Sequence, residues 1–184
     1  RSLLYFPLPT LPPNSLLENA TVNLFALTVP NKSRSYQLYK LTNDWLEGTG
    51  NGVVNNQLIN GVTWYERQYG DNIWTGSGLY DWLTPGGDFS GPLATTSTPN
   101  INNTWMSWPV TTEVVNIYNG SSNYGFLIKD SAEANSNLVE TSFVSKEDSI
   151  RTGQWPNLTL TYLTPETSIT PNLVTAATTI TVTL

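Results

Sequence analysis

The sequence predicts an all-β fold: a jelly-roll-like β-sandwich with long loops, one short helix and a C-terminal extension strand. Three observations point there. Aromatic residues are plentiful (seven Trp, nine Tyr, five Phe) while only 12% of the chain is charged, the composition of half-buried pleated surfaces. Apolar residues recur at period two in short runs. Clusters of Gly, Pro, Asn and Ser separate those runs. With 184 residues the chain is long enough for one domain with a sizeable core plus an appendage.

Taken in order, Arg1–Phe6 reads as a short apolar strand, stopped by Pro7, Pro9, Pro12 and Pro13. Ala20–Val29 follows as a strand, with Ala20, Val22, Leu24 and Ala26 on one face and Asn23, Phe25 and Leu27 on the other. Pro30-Asn31-Lys32-Ser33 makes a turn into a strand at Tyr36–Leu41. From Asn43 to Gly61 the chain reads as loop, and Val62–Tyr65 is a brief apolar piece. Between Tyr69 and Asn103, Gly and Pro recur so densely that a long irregular tract is expected, pinned by its own Trp74, Tyr80, Trp82 and Phe89. Thr112–Tyr118 breaks the β pattern: Val114, Val115 and Tyr118 have helical spacing. There Thr111 or Thr112 serves as N-cap, Glu113 suits the positive N-terminus and Asn119-Gly120 ends the helix. Gly125–Lys129, Thr141–Ser145 and Asn157–Tyr162 read as the remaining strands of a body that spans residues 1–163.

Residues 164–184 form the appendage. Thr164 to Pro171 is linker-like, with two prolines; about eight extended residues reach roughly 25–28 Å. Beyond it, Val174, Ala176, Thr178, Ile180, Val182 and Leu184 share one face of a strand, and Thr175, Ala177, Thr179, Thr181 and Thr183 the other. A lone amphipathic strand does not hold together in water. The apolar gain of its few side chains is smaller than the entropy lost on ordering its backbone, so it must join a hydrogen-bonded ladder. That ladder is either the sheet of its own domain, as an edge strand, or the sheet of a neighbouring copy.

Composition excludes several chemistries. Fourteen acids against eight bases, with no basic patch, argue against sequence-independent nucleic-acid binding. No segment reaches the 18 or more consecutive apolar residues of a membrane helix. Cysteine and histidine are absent, which removes disulfides, Cys nucleophiles, Ser-His-Asp triads and nearly every zinc site. The acids near aromatics are Glu47, Glu66, Asp71, Asp81 and Asp88. A pair of them would suffice for glycoside hydrolysis, but nothing in their spacing sets two at catalytic separation, and no enzyme is expected.

Two weaker binding signals remain. Trp64, Trp74, Tyr80 and Trp82 form a candidate sugar-stacking set, since an aromatic ring suits the apolar face of a pyranose; tryptophans of a β-sandwich serve more often as core or loop pins. Pro85-Gly86-Gly87-Asp88 is a candidate structural Ca²⁺ loop through carboxylate and carbonyl oxygens, although a plain turn accounts for it equally. Five Asn-x-Ser/Thr sequons, at Asn19, Asn31, Asn102, Asn119 and Asn157, mark candidate N-linked glycans and favour an extracellular, cell-surface location.

Several phrases together resemble the DNRLRE-type extracellular domain, a β-sandwich module of secreted and surface proteins. They are Arg1-Ser-Leu-Leu-Tyr-Phe-Pro-Leu8, Leu11-Pro-Pro-Asn-Ser-Leu-Leu-Glu-Asn-Ala-Thr-Val-Asn-Leu24, Trp45-Leu-Glu-Gly48, Gly61-Val-Thr-Trp64, Trp82-Leu-Thr-Pro-Gly-Gly-Asp-Phe89, Val110-Thr111, Asn123-Tyr-Gly-Phe-Leu-Ile-Lys129 and Pro156-Asn-Leu-Thr-Leu-Thr-Tyr162. The ordered set covers residues 1 to about 162. Such modules usually carry one or two strands ahead of the position of Arg1, missing here, and this chain has a surplus strand after Tyr162. The resemblance therefore implies strand exchange between identical subunits, head to tail: an extracellular filament or pilus-like fibril built by donor-strand complementation, with Arg1–Phe6 bordering the receiving groove. Its alternative is a carbohydrate-binding or adhesive module of a larger surface protein, with polysaccharide as partner.

Overall fold

A computed structural model describes residues 1–48, 61–68, 81–133, 140–165 and 175–184. Nine strands and one helix occur among them: β1 (Ser2–Leu4), β2 (Leu16–Thr28), β3 (Ser35–Leu41), β4 (Phe89–Ser97), β5 (Thr104–Pro109), α1 (Thr111–Tyr118), β6 (Phe126–Asp130), β7 (Ser142–Phe143), β8 (Asn157–Pro165) and β9 (Thr175–Thr183). They form two antiparallel sheets, one in the order β1-β6-β3-β4 and the other β5-β2-β8-β9, with β7 also paired to β2. The chain is an all-β sandwich with one short helix.

Period-two alternation fills the space between the sheets. Ala20, Val22, Leu24 and Ala26 of β2 are at most 2% exposed. They meet Leu158 and Leu160 of β8, Met106 and Trp108 of β5, and Leu4, Leu38, Phe126 and Ile128 from the opposite sheet. Trp108 is fully buried and its indole N–H donates to the Tyr36 carbonyl oxygen at 2.9 Å, so the largest core side chain also leaves no orphan donor.

The helix begins one residue earlier than the sequence predicts, and its N-cap is Val110, with no side-chain cap. Thr111 is otherwise engaged. Its hydroxyl accepts the Ala20 N–H at 3.0 Å and donates to Asn19 Oδ1 at 3.3 Å. Pairing of β2 with β5 reaches only Thr21, so the adjoining Ala20 amide takes Thr111 as its partner. At the other end Asn119 is the C-cap, and Gly120 has φ +103°.

The expected irregular tract up to Asn103 is corrected in part: residues 89–97 form β4, and β5 follows a short turn. The alternation there is masked by Gly91 and Pro92, which fall where the β3–β4 register slips between Leu38 and Lys40, and by a run of Thr and Ser with no apolar rhythm.

The outer faces of the two sheets differ. On the β1-β6-β3-β4 sheet, Leu3, Leu127, Tyr39, Leu41 and Phe89 point away from the main core and build a second one with Trp82, Trp45, Val62 and Tyr124. A layer of loops therefore covers that face. The outer face of the other sheet carries Asn23, Ser107, Asn157, Thr159, Thr161 and Thr179, linked by side-chain hydrogen bonds.

Candidate functional site

The C-terminal strand lies beside β8 in continuous antiparallel register from Asn157↔Thr183 to Pro165↔Thr175. Thr178, Ile180, Val182 and Leu184 are half-buried, and Ala177, Thr179, Thr181 and Thr183 exposed; Ile180, Val182 and Leu184 pack against the main core. Val174 and the side chain of Ala176 lie outside the described residues. Within this single chain the strand is thus the edge of its own sheet, the first of the two ladders open to it. Residues 166–174, the bulk of the expected linker, are also outside the described set.

Among the described residues five strands are paired in a sheet on one side only, and four are guarded as natural sheet edges are, β7 by its length of two residues. β4 slips register around Pro92, which has no N–H to offer. β5 lies against β4, with the Thr96 hydroxyl donating to the Ser107 carbonyl. β1 has only three residues. β9 has nine residues, no charge, no proline and no glycine. Because β4 sits over β5, the sheet orders set β1 opposite β9 on the other side of the sandwich.

A second feature is a cleft of about 370 Å³ in the loop layer, lined by Arg1, Leu3, Trp45, Glu47, Val62, Thr63, Trp64, Trp82 and Gly86. Backbone hydrogen bonds tie its walls: Trp82 N–H to the Tyr65 carbonyl, Gly86 N–H to that of Trp64, and Leu46 N–H to that of Arg67. Arg1 donates to both carboxylate oxygens of Glu133 (2.6 and 2.8 Å) and to the Gly86 carbonyl (2.9 Å). The hydrogen bond from Arg1 is the main reason the Glu133 carboxyl is held below the ordinary carboxylate range. Glu47 at the rim pairs with Lys146 at 3.2 Å.

The aromatic quartet is divided. Trp64 is 50% exposed at the rim, whereas Trp82 is only 5% exposed, with its indole N–H bound to the Thr63 carbonyl. Trp82 is therefore a loop pin, not a stacking ring. Trp74 and Tyr80 lie outside the described residues. Arg1, Trp45 and Glu47 complete the cleft; no spacing in the sequence marks them as neighbours of Trp64, because they meet only through tertiary packing of three separate loops.

Among the acids, Glu66 and Asp81 pair across an isolated bridge. Burial, and after it the charge of Asp81, raises the Glu66 carboxyl. Asp88 is 6% exposed and accepts from Asn43 Nδ2, Leu83 N–H and Thr84 N–H at 2.8–2.9 Å. These bonds make its carboxylate the anchor of the 82–88 turn. Asp71 is outside the described residues, and among the described ones no three potential metal-ligating side chains cluster. No described helix is long and apolar enough to cross a membrane.

Of the sequon asparagines, Asn19, Asn31, Asn102 and Asn119 are exposed and Asn157 is half-buried. Comparison of the chain with protein-family models, curated proteins and solved structures finds no match.

Proposed function

We propose that this chain is a structural subunit of an extracellular fibril, assembled from identical copies through its C-terminal strand. The observation that carries the reading is the place of β9 at the sheet edge, where among the described strands it pairs with β8 alone and can leave without opening the rest of the sheet. Its nine residues carry no charge and no proline, so a free strand edge of another copy can receive it.

Exchange of the strand is energetically accessible. If β9 leaves its own β8 and takes the same register on the β8 of another copy, every ladder bond and the contacts of Ile180, Val182 and Leu184 are made again. The difference between the closed monomer and the chain of copies then reduces to the path of residues 166–174 and to concentration. Donation from one copy to the next is heterologous, and it grows a filament where the rotation does not close.

Negative-stain microscopy and sedimentation of the concentrated protein test this. Filaments or ladders of oligomers are expected for the intact chain and should vanish when residues 177–184 are deleted. An intact chain that stays monomeric at millimolar concentration, or filaments that survive the deletion, would overturn it.

A second reading has its own support in the loop cleft. An exposed Trp64 ring beside the Glu47 carboxylate and the Arg1 guanidinium is a combination suited to a saccharide, with stacking for the ring and hydrogen bonds for the hydroxyls. On this reading the domain is an adhesive module that takes polysaccharide there. Glycan-array binding abolished by Trp64→Ala supports it, and silence across the array removes it.

A further inference from the structure

We infer that Asn19, Asn31, Asn102 and Asn119 are acceptors for N-linked glycans in the folded protein and that Asn157 is not. The inference rests on the extracellular part of the reading above, not on strand exchange. In the transfer, a lipid-diphosphate-linked oligosaccharide is the donor. The anomeric C–O bond to phosphate breaks, a C–N bond to the asparagine Nδ2 forms, one amide proton is lost and the lipid diphosphate leaves with the electron pair. The product keeps Oδ1 as an acceptor but needs open space around Nδ2.

Four sites meet that condition, each for a local reason. Asn102 accepts the Val29 N–H through Oδ1 at 2.9 Å, which fixes the amide plane, while Nδ2 makes no bond to any described residue. Asn19 is held likewise by the Thr111 hydroxyl on Oδ1. It sits at the bulge where β2 slips against β8, beyond the last residue that β5 pairs. Asn31 lies in the β2–β3 turn, followed by exposed Lys32 and Ser33. Asn119 ends α1, and at the next residue, Gly120, no described residue beyond the chain neighbours comes within 4 Å of where a Cβ would stand.

Asn157 is confined. Its Oδ1 accepts from Asn23 Nδ2 at 2.9 Å and from the Thr159 hydroxyl at 3.4 Å, and its Nδ2 donates to the Trp155 carbonyl at 3.3 Å. In the sheet it is flanked by Asn23 on β2 and Thr183 on β9. A sugar on Nδ2 would have to displace this network. None of the four open acceptors lies on β1 or β9.

The test is secretion of the full chain, with a leader peptide, from a eukaryotic cell, followed by isolation of the folded fraction. Enzymatic release of the glycans in ¹⁸O-water converts each occupied Asn to labelled Asp. Label at positions 19, 31, 102 and 119 and none at 157 is expected. Each Asn→Gln change at the first four should raise gel mobility by one step, and Asn157→Gln by none. Label at Asn157 in folded protein, or none at the other four, overturns the inference. Strand exchange is measured separately on unglycosylated protein from bacteria, so the two ideas fail independently.

Discussion

The guanidinium of Arg1 lies 4.8 Å from the centre of the Trp64 ring, and both rest on Gly86. A Cβ on Gly86 would fall 2.7 Å from Trp64 Cη2 and collide with Arg1 Nη1, at a backbone φ of +91°. Gly86→Ala is expected to cost about 1–3 kcal/mol and to break the Arg1–Trp64 contact. Gly120→Ala is the control, since it has a similar φ but open space around it. Urea unfolding should show Gly86→Ala as the more costly change, and tryptophan emission should shift only there. Equal costs would mean that the cleft wall gives way freely.

Acid should loosen the same corner. The Glu133 carboxyl, ordinarily near 4.5, is lowered in the fold chiefly by its hydrogen bond from Arg1. Its contribution is therefore fully present above the unfolded value and is lost as pH falls below about 4.5 through the folded value. Glu66 has the opposite sign. Its carboxyl is raised, so its ionised form costs stability above the folded value and the cost disappears as pH falls. Melting curves against pH should show Glu133→Gln less stable than the parent at neutral pH, by about 0.5–1 kcal/mol, and less sensitive to acid. Glu66→Gln should be slightly more stable than the parent at pH 7. Identical profiles for the parent and Glu133→Gln would refute the assignment.

Asp88 offers a test of turn anchor against calcium loop. Asp88→Asn keeps the shape but cannot accept on both sides, and a loss of about 1–3 kcal/mol is expected. The loss should be the same with calcium or with chelator, and calcium should not raise the Tm of the parent. A calcium-dependent Tm would return Asp88 to the role of metal ligand.

The fold was legible because its core obeys local rules. The alternation of Ala20, Val22, Leu24 and Ala26 set one face of β2, and those are the residues that the core buries. The inward side of the tail, Thr178 to Leu184, was readable for the same reason. β4 was not, since Gly91 and Pro92 interrupt it and its neighbours are Thr and Ser. The cleft is half legible: its aromatic ring marks Trp64 as a candidate, but Arg1 lies 63 positions earlier in the chain and is brought to it by the pairing of β1 with β6 and by its bonds to Glu133 and Gly86. Trp82 could not be told from Trp64, because burial of an indole in a loop is decided by distant partners such as the Thr63 carbonyl.

Strand exchange and simple edge pairing both use β9, and substitutions on its two faces separate them. Ile180 faces inward opposite Leu160, so Ile180→Asp should release the strand and abolish assembly by either route. Thr179 faces outward and is exposed. Thr179→Asp leaves the inner contacts intact while placing charge along the free edge, where charge deters pairing between sheets. Under edge pairing this variant should be monomeric; under exchange it should still polymerise, because β9 then takes on the host's β8 the same edge position it holds in its own chain, with Thr179 still facing outward. A capping experiment gives the independent check. A chain without residues 175–184 can accept a strand but not donate one, so substoichiometric amounts should shorten the filaments of the intact chain. Filaments of unchanged length would leave exchange without support, since an end capped by an acceptor with no strand to donate must stop growing.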